Sequence, residues 1–443
     1  MSFNRRHFVC AARAALAALL LAPGAGGAAD LWDIYQIALS RDAAYHAARY
    51  QYEGAQLDVP LARSALLPAV SAAGAGGRVR DETRARAGNA ATVEHSRDNQ
   101  ITLSAKMPLF DRSLSLEVNR ARLRAGNAKV VFDQAQDDLI LRVSESYFEL
   151  LAARDSQSVA RAATLAIGRQ RDLASQRLEV GLGTRTDLFD AEARYQQAVV
   201  DEIRAENAIS NAEQSLKKII GYTPSALTPL GEDAPLATPS PDTPEAWVEA
   251  ALANNLELKA ADFGVKIAAA DIKQVYAAAW PKVTLDASTR QIDSVGDMGV
   301  DESTSVRATL DWSLFQSGAL RGKSKQAALQ HNAALQTRED TRRRVESDAA
   351  SAYLTAESSL SQVRALSEAV RAGASALQAK EEGFRAGLTT NIDVLDAQRD
   401  QSSVRTEQLR ARYDFILSLL RLEKAAGDLD EDDLQRINGW LQS

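Results

Sequence analysis

The stretch Val180–Glu192 reads VGLGTRTDLFDAE, and Ala386–Gln398 reads AGLTTNIDVLDAQ. Gly181, Leu182, Thr184, Asp187, Asp190 and Ala191 recur 206 positions later as Gly387, Leu388, Thr390, Asp393, Asp396 and Ala397. Each stretch follows a long run without proline. A glycine where such a run ends, followed by residues that open another run, is the order of a turn between antiparallel helices. Thr186 or Asp187 in the first copy, and Asn391 or Asp393 in the second, are candidate caps for the helix that follows. Capping leaves Asp190 and Asp396 unexplained, three residues further along the same helical face. Carboxylates on adjacent levels, repeated by several subunits about an axis, would form the kind of negative ring that lines cation-selective pores.

The repeated turn belongs to a duplication of the whole chain. ALSRD at Ala38–Asp42 matches ALANN at Ala251–Asn255, and SALLP ending at Pro68 matches AAAWP ending at Pro281, both 213 apart. Leu109-Phe110 matches Leu314-Phe315 at 205, and Tyr147 matches Tyr353 at 206. The drop in spacing marks a longer connection in the first copy between the proline and the Leu-Phe pair, as expected of a loop. Prolines 224, 229, 235, 239, 241 and 244 mark a linker. The organisation read from this is a leader over 1–29, a first repeat over 30–220, a linker over 221–244, a second repeat over 245–427 and a C-terminal segment over 428–443.

Each repeat opens with a helix of about thirty residues, over Leu31–Leu66 and Glu245–Ala279. Strands follow. In Gln100–Leu109, Ile101, Leu103, Ala105, Met107 and Leu109 alternate with Gln100, Thr102, Ser104 and Lys106. Val306–Leu314 and Lys282–Arg290 alternate likewise, and Ala69–Arg80 does so more weakly. The segments between paired strands, Asp81–Asp98 and Asp293–Thr304, are polar and read as loops. Strands of about ten residues suit a tilted bilayer crossing. The pattern alone equally fits half-buried hairpins in a water-soluble sheet. Four strands cannot close a barrel, so membrane strands would require several copies of the chain.

Ser113–Glu179 and Gly318–Arg385 then read as helices about 100 Å long. Val363, Leu366, Val370 and Leu377 follow coiled-coil spacing, as do Ile209, Leu216 and Ile219, and Leu409, Ile416 and Leu420. Rods polar on one side need not enclose a solid core and can line a water-filled tube.

The 443 residues begin with a basic start, MSFNRRH, an apolar run and the small-residue exit GAGGAAD, the pattern of a signal peptide cut after Ala28 or Ala29. Arg5-Arg6 also resembles a twin-arginine signal. Cys10 is the only cysteine and lies in this leader, so the mature chain has no thiolate nucleophile or thiolate metal site. Without the leader, 49 basic residues stand against 59 acidic ones, a balance that disfavours nucleic acid. His46, His95 and His331 are scattered, with His95 in an expected loop, and no phosphate-binding loop or nucleophile setting is present. No enzymatic activity, metal or cofactor is expected.

The ALSRD region, LLP before the first strand, PLF after the second, both GL…D turns and the tail KAAGDLDEDDLQRINGWLQS together resemble the TolC family of outer-membrane channel-tunnels over essentially the whole mature chain. The tail and the missing lipid-attachment cysteine resemble the members outside the lipid-anchored drug-efflux branch. The resemblance implies a mostly α fold with membrane β: four transmembrane strands and long coiled-coil helices per protomer. It implies a homotrimer with a 12-stranded β-barrel in outer-membrane lipid and an α-helical barrel across the periplasm. It also implies a duct for efflux or type I secretion, working with a periplasmic adaptor and an inner-membrane pump of RND, ABC or MFS type. Asp393 and Asp396 would form acidic rings at the entrance, with Asp187 and Asp190 as first-repeat counterparts. Val180, Gly181, Leu182, Thr184, Ala386, Gly387, Leu388 and Thr390 would be the docking tips. In the family, a tyrosine and an arginine latch the entrance; here those positions are Phe384 and Thr389, and Arg185 is the candidate replacement. The rival reading is a periplasmic coiled-coil adaptor, which would leave washed membranes without detergent.

Overall fold

The computed structural model describes residues 28–84, 91–232, 234–295 and 299–442. The leader lies outside these apart from Ala28 and Ala29. Ala29 is already paired: its N–H donates to Ala226 O and its carbonyl accepts from Thr228, both at 3.0 Å.

The first repeat runs α1 (Leu31–Arg41), α2 (Ala43–Ser64), β1 (Ala69–Arg84), β2 (Ala91–Phe110), α3 (Arg112–Glu179) and α4 (Arg185–Ile220). The second runs α5 (Pro244–Asn254), α6 (Leu256–Ala277), β3 (Lys282–Val295), β4 (Gly299–Asp311), α7 (Ala319–Arg385) and α8 (Asn391–Ala426), and α9 (Glu431–Asn438) follows. The two long rods, α3 and α7, have 68 and 67 residues, and their return helices, α4 and α8, have 36 each.

The opening helix of each repeat is two helices, not one. The chain turns extended at Asp42 and Asn255, the matched last residues of ALSRD and ALANN. Each residue caps the next helix. Asp42 accepts from the Tyr45 N–H at 2.7 Å, and Asn255 Oδ1 accepts from Glu257 and Leu258. Each also grips a second element: the Arg142 guanidinium donates to Asp42 at 2.9 and 3.1 Å, and Asn255 Nδ2 donates to Ala425 O at 3.0 Å. A short polar residue that offers the backbone an alternative partner wins over the surrounding helical periodicity.

The strands exceed the expected ten residues: 16, 20, 14 and 13. The ladder runs on through the polar stretches read as loops, because backbone pairing persists whatever the side chains. His95, expected in a loop, pairs in β2 with Arg80 of β1. The four strands form one antiparallel sheet in the order β1-β2-β3-β4. One face carries the row Val70, Ala105, Ala287 and Val306; the other carries Ser71, Ser104, Ser288 and Ser305. The serines bond in pairs, Ser71 to Ser104 at 2.8 Å and Ser288 to Ser305 at 3.1 Å.

The main core lies midway along the rods. Leu31, Ile34 and Tyr35 of α1, Tyr147, Phe148 and Leu150 of α3, Leu216 and Ile220 of α4, Ile416 and Leu420 of α8, and Leu434 and Ile437 of α9 are buried together. The matched tyrosines tie the linker to both rods: Tyr147 Oη donates to Thr228 O at 2.7 Å and Tyr353 Oη to Asp242 O at 2.6 Å. Tyr147→Phe and Tyr353→Phe should each cost about 1–2 kcal/mol, read as a lower denaturant midpoint, by orphaning a linker carbonyl.

Helix α9 is held through Arg436, which pairs with Glu423 of α8 and with Asp433 at 3.0 Å. Burial, and then Asp433 nearby, push the Glu423 carboxyl up from 4.5 to about 7. A raised folded-state value means that the stabilising effect of protonation is full below the unfolded value of 4.5 and is lost as pH rises through 7. Glu423→Gln should therefore flatten stability between pH 5 and 8, removing a decline of about 3 kcal/mol. Denaturation midpoints across that range would read it.

Candidate functional site at the helical tips

Gly181 and Gly387 adopt φ of 77° and 74°, left-handed backbone that glycine takes without penalty. Each closes the same two bonds. Gly181 and Leu182 donate to Leu178 O and Arg177 O, and Gly387 and Leu388 donate to Phe384 O and Gly383 O. These capture the last carbonyls of α3 and α7 and end both rods.

The N-cap residues of the returning helices are Thr184 and Thr390, not Thr186 or Asn391, and Asp187 and Asp393 complete each cap from the third helical position. The Thr184 hydroxyl accepts from the Asp187 N–H at 3.1 Å, and the Asp187 carboxylate accepts from the Thr184 N–H at 3.0 Å. Thr390 and Asp393 reproduce the exchange at 3.3 and 2.9 Å. The reason is reciprocal: a Thr and an acid three residues apart satisfy two orphan donors at once. The Thr390 hydroxyl and N–H hold Asp393 below the usual carboxylate range, and Lys380 lies 3.8 Å away.

Val180, Leu182 and Leu388 are exposed at the tips, Leu388 at 83%. Ala386 and both turn glycines are exposed beside them. Asp187 and Asp190 are half-buried on α4. Asp396 is half-buried on α8 and bonded to Arg194 of α4 at 2.8 Å. Thr389 donates to Lys380 O within its own hairpin at 3.0 Å. Phe384 receives a cation from the other hairpin, but from Arg177 of α3, whose guanidinium carbon lies 4.8 Å from the ring centre. Arg185, the expected replacement, is exposed. Periodicity gave no signal for Arg177, Arg194, or Gln170, whose amide donates to the buried Asn391 at 2.5 Å. The usable signal was the mismatch between repeats: Arg177 and Arg194 correspond to Gly383 and Asp400.

Long helical hairpins carrying a four-stranded sheet define the class. The outer membrane protein VceC of Vibrio cholerae shares the fold at a TM-score of 0.73, with 18% identity, over 90% of this chain and 96% of that one. The model of the outer membrane efflux protein family matches residues 34–222 and 247–428, and the chain belongs to that family. It is 32% identical to the outer membrane protein TolC of Vibrio cholerae serotype O1 over 94% of both chains. It is 29% identical to the alkaline protease secretion protein AprF of Pseudomonas aeruginosa, over 93% of this chain and 87% of that one. The protein is accordingly an outer-membrane transport protein.

Proposed function

We propose that three copies of the chain join their sheets into one 12-stranded barrel and their rods into a periplasmic tunnel. The assembly accepts cargo from an inner-membrane pump through a periplasmic adaptor. The observation that carries this reading is a sheet with two free edges, β1 and β4 among the described strands, set above rods about 100 Å long. Edge-to-edge pairing of copies satisfies both edges, and three sheets of four strands pass the minimum for a closed barrel. Side chains support the same assembly. Val70, Ile101, Leu103, Val306 and Leu310 on one face are 49–70% exposed in the single chain, as a lipid-facing band would be. Phe110, Trp280, Trp312 and Phe315 are exposed at or just beyond the strand ends, as an interfacial belt would be.

The turns of both hairpins present Leu182 and Leu388 to the adaptor, and Asp393 and Asp396 lie at the entrance with Asp187 and Asp190 as their first-repeat counterparts. Similarity to a protease secretion protein supports protein export as one cargo class. The test is single-channel recording of the purified oligomer in planar bilayers. A discrete, cation-preferring conductance is expected; a water-soluble monomer that passes no ions would end the proposal. Asp393→Asn combined with Asp396→Asn should move the reversal potential in a salt gradient toward zero, since the entrance loses fixed negative charge. An unchanged reversal potential would remove these residues from the pore.

A further inference from the structure

The two hairpins of one chain are joined near their tips by links that come from unlike halves of the duplication. Asp396 corresponds to Asp190, and Arg194 to Asp400. The Arg194–Asp396 bond therefore has no mirror image, because the reverse pair, Asp190 with Asp400, is acid against acid. Arg177 corresponds to Gly383, and Gly183 to Thr389. In the first hairpin a Cβ at Gly183 would lie 3.2 Å from Arg177; in the second, a Cβ at Gly383 would lie 3.0 Å from Thr389. The bulky partner has changed sides between repeats, and this leaves Arg177 as the side chain that reaches Phe384. Around these contacts Leu395 of α8 is buried among Ile167, Ala174, Ala191 and Ala198 of the first hairpin. Asn391, 4% exposed, accepts from Gln170.

We infer that Arg194 sets the charge of the entrance: it neutralises Asp396 while α8 lies against α4 and gives that carboxylate up when the hairpins part. The inference rests on the channel reading. Asp393 keeps its charge in both arrangements, because its partner is the cap of its own helix. Asp396 differs: Arg399 lies near it on its own helix, but the cation bonded to it sits on the other hairpin. Arg177 holds the same two hairpins together through Phe384 without touching a carboxylate, so it straps the entrance but leaves its charge alone. Each of three copies would expose one further carboxylate on opening, and a multivalent cation would bind the open entrance more tightly than the closed one. By linkage, that cation favours opening by the same factor.

The test uses the full-length oligomer in planar bilayers, with La³⁺ titrated from the periplasmic side as the probe. Arg194→Gln should raise conductance and tighten La³⁺ block on the order of tenfold, as three neutralised carboxylates become free. Asp396→Asn, and Arg194→Gln combined with it, should raise conductance without tightening block. Arg194→Lys should stay near the starting protein, and Arg177→Gln should raise conductance with block unchanged. Intact oligomers on electrophoresis show that each variant has assembled. La³⁺ block and conductance within about twofold of the starting protein for Arg194→Gln would overturn the inference, given the charge it frees. So would a raised conductance with no tighter block. A starting protein that never conducts defeats the channel reading instead.

Discussion

Arg142→Ala is expected to destabilise the folded protein by about 2–4 kcal/mol, read as a fall in the denaturant midpoint for loss of helix. The Asp42 side chain is 5% exposed and sits at the break between α1 and α2. Arg142 gives it two bonds, and the Tyr45 N–H a third. Removing the guanidinium strands a charge that burial already disfavours. Arg142 itself is 38% exposed, so water relieves part of the cost and keeps the loss below that of a sealed pair. Asp42→Asn with Arg142→Gln should restore much of the stability, because the cap survives and no charge is stranded. Burial opposes ionisation of Asp42, but the bonds from Arg142 and from the Tyr45 N–H outweigh it and keep the carboxyl below its ordinary 3.8. A lowered folded-state value gives stability that is present above 3.8 and lost as pH falls through the folded value. The variant should accordingly lose the low-pH part of the stability profile. An Arg142→Ala protein as stable as the parent would show that the break is held by something else.

Gly387→Val should lower export more than tenfold while the oligomer still assembles. A β-branched residue at φ 74° costs about 1–2 kcal/mol and disturbs the bonds to Phe384 O and Gly383 O. The damage stays local. By the numbering of the rods, the turn is some fifty ångströms from the core around Tyr147, at about 1.5 Å per residue. Gly181→Val should act similarly on the first hairpin. Leu388→Asp separates backbone strain from docking, since this 83% exposed side chain can change without touching the turn. Normal export by Leu388→Asp and Gly387→Val together would mean that the tips do not meet the adaptor.

The duplicated turn was legible because glycine, threonine and aspartate at fixed offsets carry local backbone chemistry. The long rods were legible from the absence of proline, and the sheet from alternation. What escaped depends on partners far apart in the chain. Asp42 and Asn255 interrupt strongly helical sequence, and their second bonds go to Arg142 and Ala425 O. Alternation ends before the strands do, because a ladder is held by main-chain groups that leave no hydrophobic trace. At the tips, Arg177 and Arg194 stand in charge-rich helical sequence with nothing local to set them apart. Only the approach of the other hairpin gives them Phe384 and Asp396.

Among the described strands, β1 and β4 have unpaired outer rims. As a single chain, the protein presents two rows of open peptide groups beside exposed Val70, Val306 and Leu310, a template for fibrous self-association. If copies assemble as proposed, such a chain is safest when escorted, and its biogenesis should depend on periplasmic chaperones that shield these borders until sister molecules arrive.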